Sequence, residues 1–220
     1  MAELAKYANY VGRYYCSTDS RKVLTHGEAA AMTKAGMRIL VFFQNGARTR
    51  RSFGAALGER NGAVAWNQAV AASEPDGGAI YFCVDYDAMP ADINGYILPC
   101  FVHLTNGMET ARAAWMHARR TQRAPCYCVG IYATPQVIDG ILADPTRTIS
   151  PRPFIFLALP PIWQRTGDPG EYARYLTAQQ WSVWQIGVGA ICHRVGRPLD
   201  GFPCDFDEVR TSDNGSFLVK

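Results

Sequence analysis

The sequence lacks several features that would place a protein in a familiar class at once. No apolar run approaches the roughly 20 residues that a membrane-spanning helix requires, so we expect no membrane span. Residues 1–6 have neither the basic nor the apolar region of a secretory signal, so we expect a chain made in the cytoplasm. Any export would then use a specialised route. A length of 220 residues without a linker predicts a single domain over residues 1–220.

Motifs for bound cofactors are also lacking. No G-x-G-x-x-G or Walker loop follows an early strand, so we expect no nucleotide cofactor. The seven cysteines include no C-x-x-C pair and do not have the spacing of ordinary zinc modules, so we expect no metal and reduced thiols. Cys83 and Cys126 fall in apolar runs, where a thiol acts as a small hydrophobic group.

Lysine is scarce, with 4 residues against 18 arginines, and the formal net charge is only +3. This balance is too mild to indicate a nucleic-acid partner, and we expect none. The tightest basic cluster is Arg48, Arg50 and Arg51, with no acidic residue between them. Two interpretations of it stay open: a solvated loop, or a set of guanidinium groups that bind phosphate or carboxylate.

Apolar runs typical of strands alternate with helical segments along the chain. Strands are predicted over 10–15, 38–44, 79–84, 126–132, 154–158, 181–186 and 203–206. Helices are predicted over 25–36, 64–72, 90–104, 108–121 and 135–142. Repeated strand and helix units indicate a parallel sheet covered by helices. Polar residues at several strand ends favour a barrel over an open, doubly wound sheet.

Acidic residues lie at the ends of two of these strands. Asp85 and Asp87 are one residue apart, so an extended strand would place both carboxylates on one face. Neighbouring carboxylates can supply one acid and one base at neutral pH. Alternatively, Asp87 caps the next helix and Asp85 binds backbone amides. The spacing does not show which of these two interpretations is correct. It also does not show whether the pair would have the geometry of a retaining or an inverting glycosidase. Asp205 adds an acid at another strand end.

Aromatic and amide side chains accompany these acids on the predicted strands. A sugar ring has an apolar face and many hydroxyls, so an acidic, aromatic-lined barrel mouth suits a glycan partner. Core packing is the alternative for Trp181 and Trp184. The candidate sugar-binding residues are Tyr14, Gln44, Tyr81, Tyr132, Trp184 and Gln185.

Four segments in this order resemble a known family: 10–14, 80–87, 129–132, and 184–186 followed by 204–207. Together they resemble the glycoside hydrolase-like domain family first catalogued as domain of unknown function 1906. That family is similar to the family-25 glycoside hydrolases, which are barrel muramidases that cut peptidoglycan. The resemblance covers about residues 9–209.

The resemblance implies a TIM-like (β/α) barrel and a role for each acid. Asp87 would protonate the glycosidic oxygen, Asp85 would stabilise or orient the reacting group, and Asp205 would match the acid on the last strand. The muramidases have Glu where this chain has Asp87. They also carry an acid on a first strand, and no counterpart precedes Tyr10. We therefore expect a barrel that lacks or alters its first strand.

Three functions are consistent with these residues. The leading one is hydrolysis of peptidoglycan or a related glycan. The second is an inactive glycan-binding or interaction module on a degenerate barrel, since a catalytic acid is absent. The third is a phosphodiester or phosphosugar hydrolase in which the acids hold a metal and the arginines bind phosphate.

Overall fold

The computed structural model describes residues 4–6, 8–144, 154–158, 173–174, 181–187, 206–209 and 214–219. Within these residues, one sheet contains the strands β1 (Tyr10–Tyr15), β2 (Arg38–Phe43), β3 (Ala79–Cys83), β4 (Cys128–Ala133), β5 (Phe154–Leu157), β6 (Val183–Gly187) and β7 (Phe206–Val209). The helices are α1 (His26–Lys34), α2 (Ala55–Ala72), α3 (Pro90–Asp92), α4 (Leu98–Arg119) and α5 (Pro135–Leu142). A π-helical segment, Ile93–Ile97, joins α3 to α4.

The strands lie in the sheet in the order in which they occur in the chain. Pairing is parallel from β1 to β6, and β7 is antiparallel to β6. A doubly wound sheet would reverse its strand order at a switch point, and this sheet does not. The prediction of a TIM-like barrel is thus confirmed in part: the chain has a mixed α/β fold with a curled, half-barrel sheet. Among the described residues, β1 and β7 are its two ends and do not pair.

Aromatic side chains fill the face of the sheet opposite the helices. The Phe42 ring lies 5.9 Å from Tyr81, 5.8 Å from Tyr132 and 5.2 Å from Phe156, measured between centroids. Glycine makes room for these rings, because a Cβ at Gly12 would lie 2.7 Å from Phe42 and one at Gly130 would lie 2.8 Å from Tyr81.

Two long helices cover the other face. Phe82 of β3 packs edge-on against Phe101 of α4, with the ring centroids 6.5 Å apart. Helices α2 and α4 pack backbone against backbone, since a Cβ at Gly58, Gly62 or Gly107 would collide with the facing helix. No helix among the described residues is long and apolar enough to cross a membrane.

A C-terminal segment, residues 214–219, fastens onto the starts of β2 and β3. Phe217 is 2% exposed and forms an antiparallel bridge with Ile39. Arg38 donates hydrogen bonds to the hydroxyl and the carbonyl of Ser216, at 2.8 and 2.7 Å. The sequence pattern did not predict this element.

Several predicted elements differ in extent. Helix α2 begins at Ala55 rather than residue 64, and residues 90–119 form one helical run instead of two helices. The prediction that Cys126 lies in a strand is wrong, because β4 begins at Cys128 and Cys126 is exposed. Thr25 is the N-cap of α1, since its hydroxyl accepts a hydrogen bond from the Glu28 backbone N–H at 3.2 Å.

Candidate functional site

The candidate site lies at the edge of the sheet where the parallel strands end. Gln44 directly follows β2, Asp85 follows β3 by two residues, and Tyr132 is the penultimate residue of β4. The carboxyl ends of parallel strands meet at one edge, which is where barrel enzymes place their functional groups.

Asp85 is held in place by the loop that follows β2. One carboxylate oxygen, Oδ2, accepts hydrogen bonds from Arg48 Nε at 3.2 Å and Gln44 Nε2 at 3.4 Å. The backbone N–H of Asp85 donates to the Ala47 carbonyl at 2.9 Å. The Asp85 side chain is 21% exposed. The carboxylate therefore has a defined direction and partial access to solvent.

Asp87 has different surroundings. Strand β3 ends at Cys83, so both acids lie in the following loop and strand alternation does not place them on a common face. Asp87 is exposed, and within the described part of the chain it makes no hydrogen bond or ion pair. Neither alternative interpretation is adopted: Met89 occupies the N-cap of α3, and Asp85 binds side chains instead of backbone amides.

A second group of contacts surrounds Tyr86, between the two acids. Its hydroxyl donates to Asp92 Oδ2 at 3.4 Å, and burial with the nearby Asp92 carboxylate raises the pKa of Tyr86 to about 12. Arg50 Nη1 lies 3.9 Å from Asp92 Oδ1, and its guanidinium lies 5.7 Å from the ring centroid of Tyr96. Asp92 and Tyr96 were not predicted as site residues, since nothing in the local sequence marks them.

Two predicted sugar contacts, one in β4 and one in β6, form a hydrogen bond with each other. The Tyr132 hydroxyl donates to Gln185 Oε1 at 3.2 Å, and Gln185 is 3% exposed. Tyr14 is half-buried, with its ring 5.8 Å from Phe42 and Lys22 Nζ at 5.8 Å from its centroid.

The structure places the other candidate residues elsewhere. Tyr81 has no exposed surface, and its hydroxyl donates to the Asn214 carbonyl at 2.7 Å. Trp184 adjoins Gln185 in β6, so its side chain points to the opposite face of the sheet, and its ring lies 6.0 Å from that of Trp181. Asp205 lies outside the described residues.

The chemistry of the remaining nucleophilic and metal-binding groups is limited. Within the described ranges, no three His, Cys, Asp or Glu side chains come close enough to hold a metal ion. Cys83 and Cys100 are buried thiols, and burial raises the pKa of Cys100 to about 11 and that of Cys83 well above its ordinary value. A raised pKa leaves both thiols protonated and poorly nucleophilic.

A curled, mostly parallel sheet with two carboxylates in the loop after β3 places the chain in the class of half-barrel α/β proteins. The chain belongs to the Rv2525c-like family of glycoside hydrolase-like domains, whose model matches residues 3–197. The resemblance inferred from the sequence is therefore confirmed at the level of a glycoside hydrolase-like domain.

Two proteins of Bacillus subtilis are similar in sequence to part of this chain. The uncharacterized protein FadG of Bacillus subtilis is 30% identical over 141 residues, covering 62% of this chain and 23% of FadG. The uncharacterized protein YbfG of the same organism is 29% identical over 105 residues, covering 48% of this chain and 13% of YbfG. The chain thus spans less than a quarter of the length of these relatives.

Solved structures show the same fold. The Tat-secreted protein Rv2525c of Mycobacterium tuberculosis, crystallised in complex with HEPES, has a TM-score of 0.65 at 16% identity. That comparison covers 98% of this chain and 91% of Rv2525c. An uncharacterized protein of B. stearothermophilus has a TM-score of 0.59 at 15% identity, over 96% of this chain and 89% of that protein.

Proposed function

We propose that this domain binds a glycan at the C-terminal edge of the sheet and hydrolyses it with Asp87 as general acid and Asp85 as the orienting or stabilising carboxylate. The observation that carries the proposal is the contrast between the two acids. Asp85 is fixed by Arg48 and Gln44, whereas Asp87 is exposed and without a partner in the described residues. Asp85 is thereby oriented and Asp87 is open to a bound glycan, and the acid role given to Asp87 follows the resemblance to barrel muramidases.

The ion pair suits Asp85 to a charged role. A carboxylate bonded to a guanidinium stays available to stabilise positive charge that develops on the sugar ring in the transition state. Asp87 projects from the same loop into solvent, where it can reach a glycosidic oxygen of a bound chain. Asp205, on resemblance alone, is proposed as a third acid at this edge.

The neighbouring polar groups supply the proposed sugar contacts. Gln44 and Tyr132 present an amide and a hydroxyl near the strand ends, and Tyr14 adds an aromatic ring. Gln185 is buried and is proposed to orient the Tyr132 hydroxyl instead of contacting the sugar directly. Tyr81 and Trp184 are no longer proposed for this role, because the first has no exposed surface and the second lies on the other sheet face.

The proposed substrate is peptidoglycan or a related bacterial glycan, cut as a muramidase cuts it. The glycoside hydrolase-like family of the chain supports a glycan substrate, and the resemblance to barrel muramidases inferred from the sequence motivates the choice of peptidoglycan. Such a glycan lies outside the cytoplasm, and the structural relative Rv2525c is Tat-secreted. We therefore also propose that the protein containing this domain is exported.

The test is release of reducing ends from purified peptidoglycan by wild type, Asp87→Asn and the control Glu109→Gln. Asp87→Asn is expected to lose about 100-fold or more of the activity, the usual contribution of a general acid. Glu109 is 57% exposed on α4 and pairs with Arg112, so its variant should keep full activity. Equal activity in Asp87→Asn and wild type, with melting temperatures unchanged, removes Asp87 from the mechanism.

One observation favours a second function, glycan binding without hydrolysis. The Arg48 guanidinium engages the Asp85 carboxylate, which restrains it from acting as a nucleophile or base. Calorimetric binding of muropeptides with no product after prolonged incubation would support this function over hydrolysis.

A further inference from the structure

The loop between β2 and α2, residues 44–54, carries Arg48, Arg50 and Arg51, and is called the arginine loop below. It has a defined conformation. Ala47 is 3% exposed and left-handed, at φ 57°, a strained geometry for a residue with a Cβ. It is held there because its carbonyl accepts the Asp85 N–H. The loop is thus fastened to the candidate catalytic loop.

The second half of the arginine loop is equally ordered. Ser52 N–H donates to the Thr49 carbonyl at 3.0 Å, and Phe53 N–H donates to the Arg50 carbonyl at 3.1 Å. The Phe53 ring is buried and lies 6.1 Å from the ring of Tyr86. The three arginines therefore project from a rigid turn beside Asp85 and Tyr86.

Their guanidinium groups have unused donors. Arg48 is 78% exposed and bonds Asp85 through Nε alone, so its two terminal nitrogens are open. Arg50 is 61% exposed, is 3.9 Å from Asp92 and lies over the Tyr96 ring, which orients it. Arg51 is exposed and makes no hydrogen bond or ion pair within the described ranges. Arg48 and Arg50 are thus oriented by side-chain contacts, which solvation alone would not require.

The N–H donors of the three guanidinium groups, more than the net charge, characterise the surface of the arginine loop. Asp85, Asp87 and Asp92 balance the three arginines formally. Attraction of an anion would therefore depend on the planar fork of each guanidinium, which matches a carboxylate or a phosphate in two hydrogen bonds. A neutral sugar offers these forks only uncharged hydroxyl oxygens, which accept weaker hydrogen bonds than a carboxylate or a phosphate.

We propose that the arginine loop recognises an anionic substituent, a carboxylate or a phosphate, on the glycan bound beside Asp85 and Asp87. The inference rests on the proposed function for the position of the glycan, but it concerns binding and is measured apart from turnover. It makes the ligand class an acidic glycan.

The experiment compares saccharides by calorimetry in the Asp87→Asn background, where cleavage would not deplete them. The neutral probe is chitotetraose. The carboxylate probe is the peptide-free tetrasaccharide of alternating N-acetylglucosamine and N-acetylmuramic acid, which adds lactyl groups to the same backbone. Chitotetraose phosphorylated on its primary hydroxyls tests phosphate. Each titration is repeated with Arg50→Gln, Arg51→Gln and the control Arg123→Gln, an exposed arginine in the loop before β4.

At least one acidic tetrasaccharide is expected to bind more tightly than chitotetraose, and the tighter one identifies the recognised group. Arg50→Gln and Arg51→Gln should each weaken its binding about threefold to tenfold and leave chitotetraose unchanged. Arg123→Gln should have no effect. Equal affinity for neutral and acidic probes, unchanged affinity in both loop variants, or no binding of any probe overturns the inference. A retained acidic preference with no hydrolysis by wild type would refute only the proposed hydrolysis.

Discussion

At the residue scale, the difference between Asp85 and Asp87 is the central feature of the site. Asp85 contacts a guanidinium that is 37 residues away in the sequence, while Asp87 faces solvent. Identical side chains two positions apart thus receive different surroundings, because the arginine loop reaches only one of them.

Asp85→Asn should separate a chemical role from a structural one. The Arg48 partner is 78% exposed, so losing the ion pair should change the free energy of unfolding by no more than about 1 kcal/mol. The rate of glycan hydrolysis should fall by about 100-fold or more, since the substitution removes the carboxylate proposed to stabilise positive charge in the transition state. Denaturant melts and reducing-end assays measure the two effects. A large loss of stability with activity retained would show that Asp85 is a structural residue.

At the element scale, the packing of α2 against α4 depends on glycine. A Cβ at Gly58 would meet the Cys100 carbonyl, and one at Gly107 would meet the Glu59 carbonyl. Glycine lowers helix propensity, so its presence in both helices is explained by their close approach. This packing places the arginine loop, which ends where α2 begins.

Gly107→Ala should destabilise the protein by about 1–3 kcal/mol, although alanine is the better helix former, because the methyl group separates two helix backbones. Gly95 lies in the π-helical segment, and a Cβ at this position would meet no described atom within 4 Å. Gly95→Ala should therefore be neutral or stabilising by up to about 1 kcal/mol. Thermal melts of both variants test the pair, and equal behaviour would contradict the packing argument.

At the scale of the whole molecule, a buried carboxylate connects the sheet to α2. Glu74 follows α2 and is 4% exposed; its Oε2 accepts a hydrogen bond from the Tyr15 hydroxyl at 2.9 Å. Its Oε1 has no partner among the described residues. Burial raises the pKa of Glu74 to about 8, and the Tyr15 hydrogen bond opposes that rise.

The free energy of unfolding should therefore fall as the pH rises. Between the ordinary pKa of 4.5 and about 8, folded Glu74 holds a proton that the unfolded chain has released. The stabilisation that arises from the raised pKa of Glu74 is fully present below pH 4.5. Through the window up to about pH 8, the free energy of unfolding falls by up to about 1.4 kcal/mol per pH unit. Denaturant melts from pH 4.5 to 8 should show this slope in wild type and Glu109→Gln. Glu74→Gln should flatten it, and an unchanged slope would exclude Glu74 as its source.

The C-terminal segment also contributes to the stability of the whole molecule. Phe217→Ala removes a ring that is 2% exposed from the starts of β2 and β3, so it should cost about 3–5 kcal/mol. The adjacent Leu218 is 39% exposed, and Leu218→Ala should cost much less. Similar losses in both variants would show that the segment is not anchored through Phe217.

The strands were predictable because β2 and β3 are covered on both faces and read as continuous apolar runs. The start of α2 was not predictable from the sequence, because Ala55–Gly62 includes two glycines, which disfavour a helix. Both glycines are explained only by the close approach of α4. The pairing of segment 214–219 with the sheet was not predicted either, because its hydrogen bonds to Arg38 and Ile39 join residues far apart in sequence.

The amino-acid sequence was sufficient for the alternation of strands and helices, the acids after β3 and the family resemblance, because these depend on local pattern and order. Tertiary contacts settled which acid is paired and that Tyr81 is internal. They also brought the arginine loop to Asp85. Those outcomes depend on distances between segments, which local propensity does not encode.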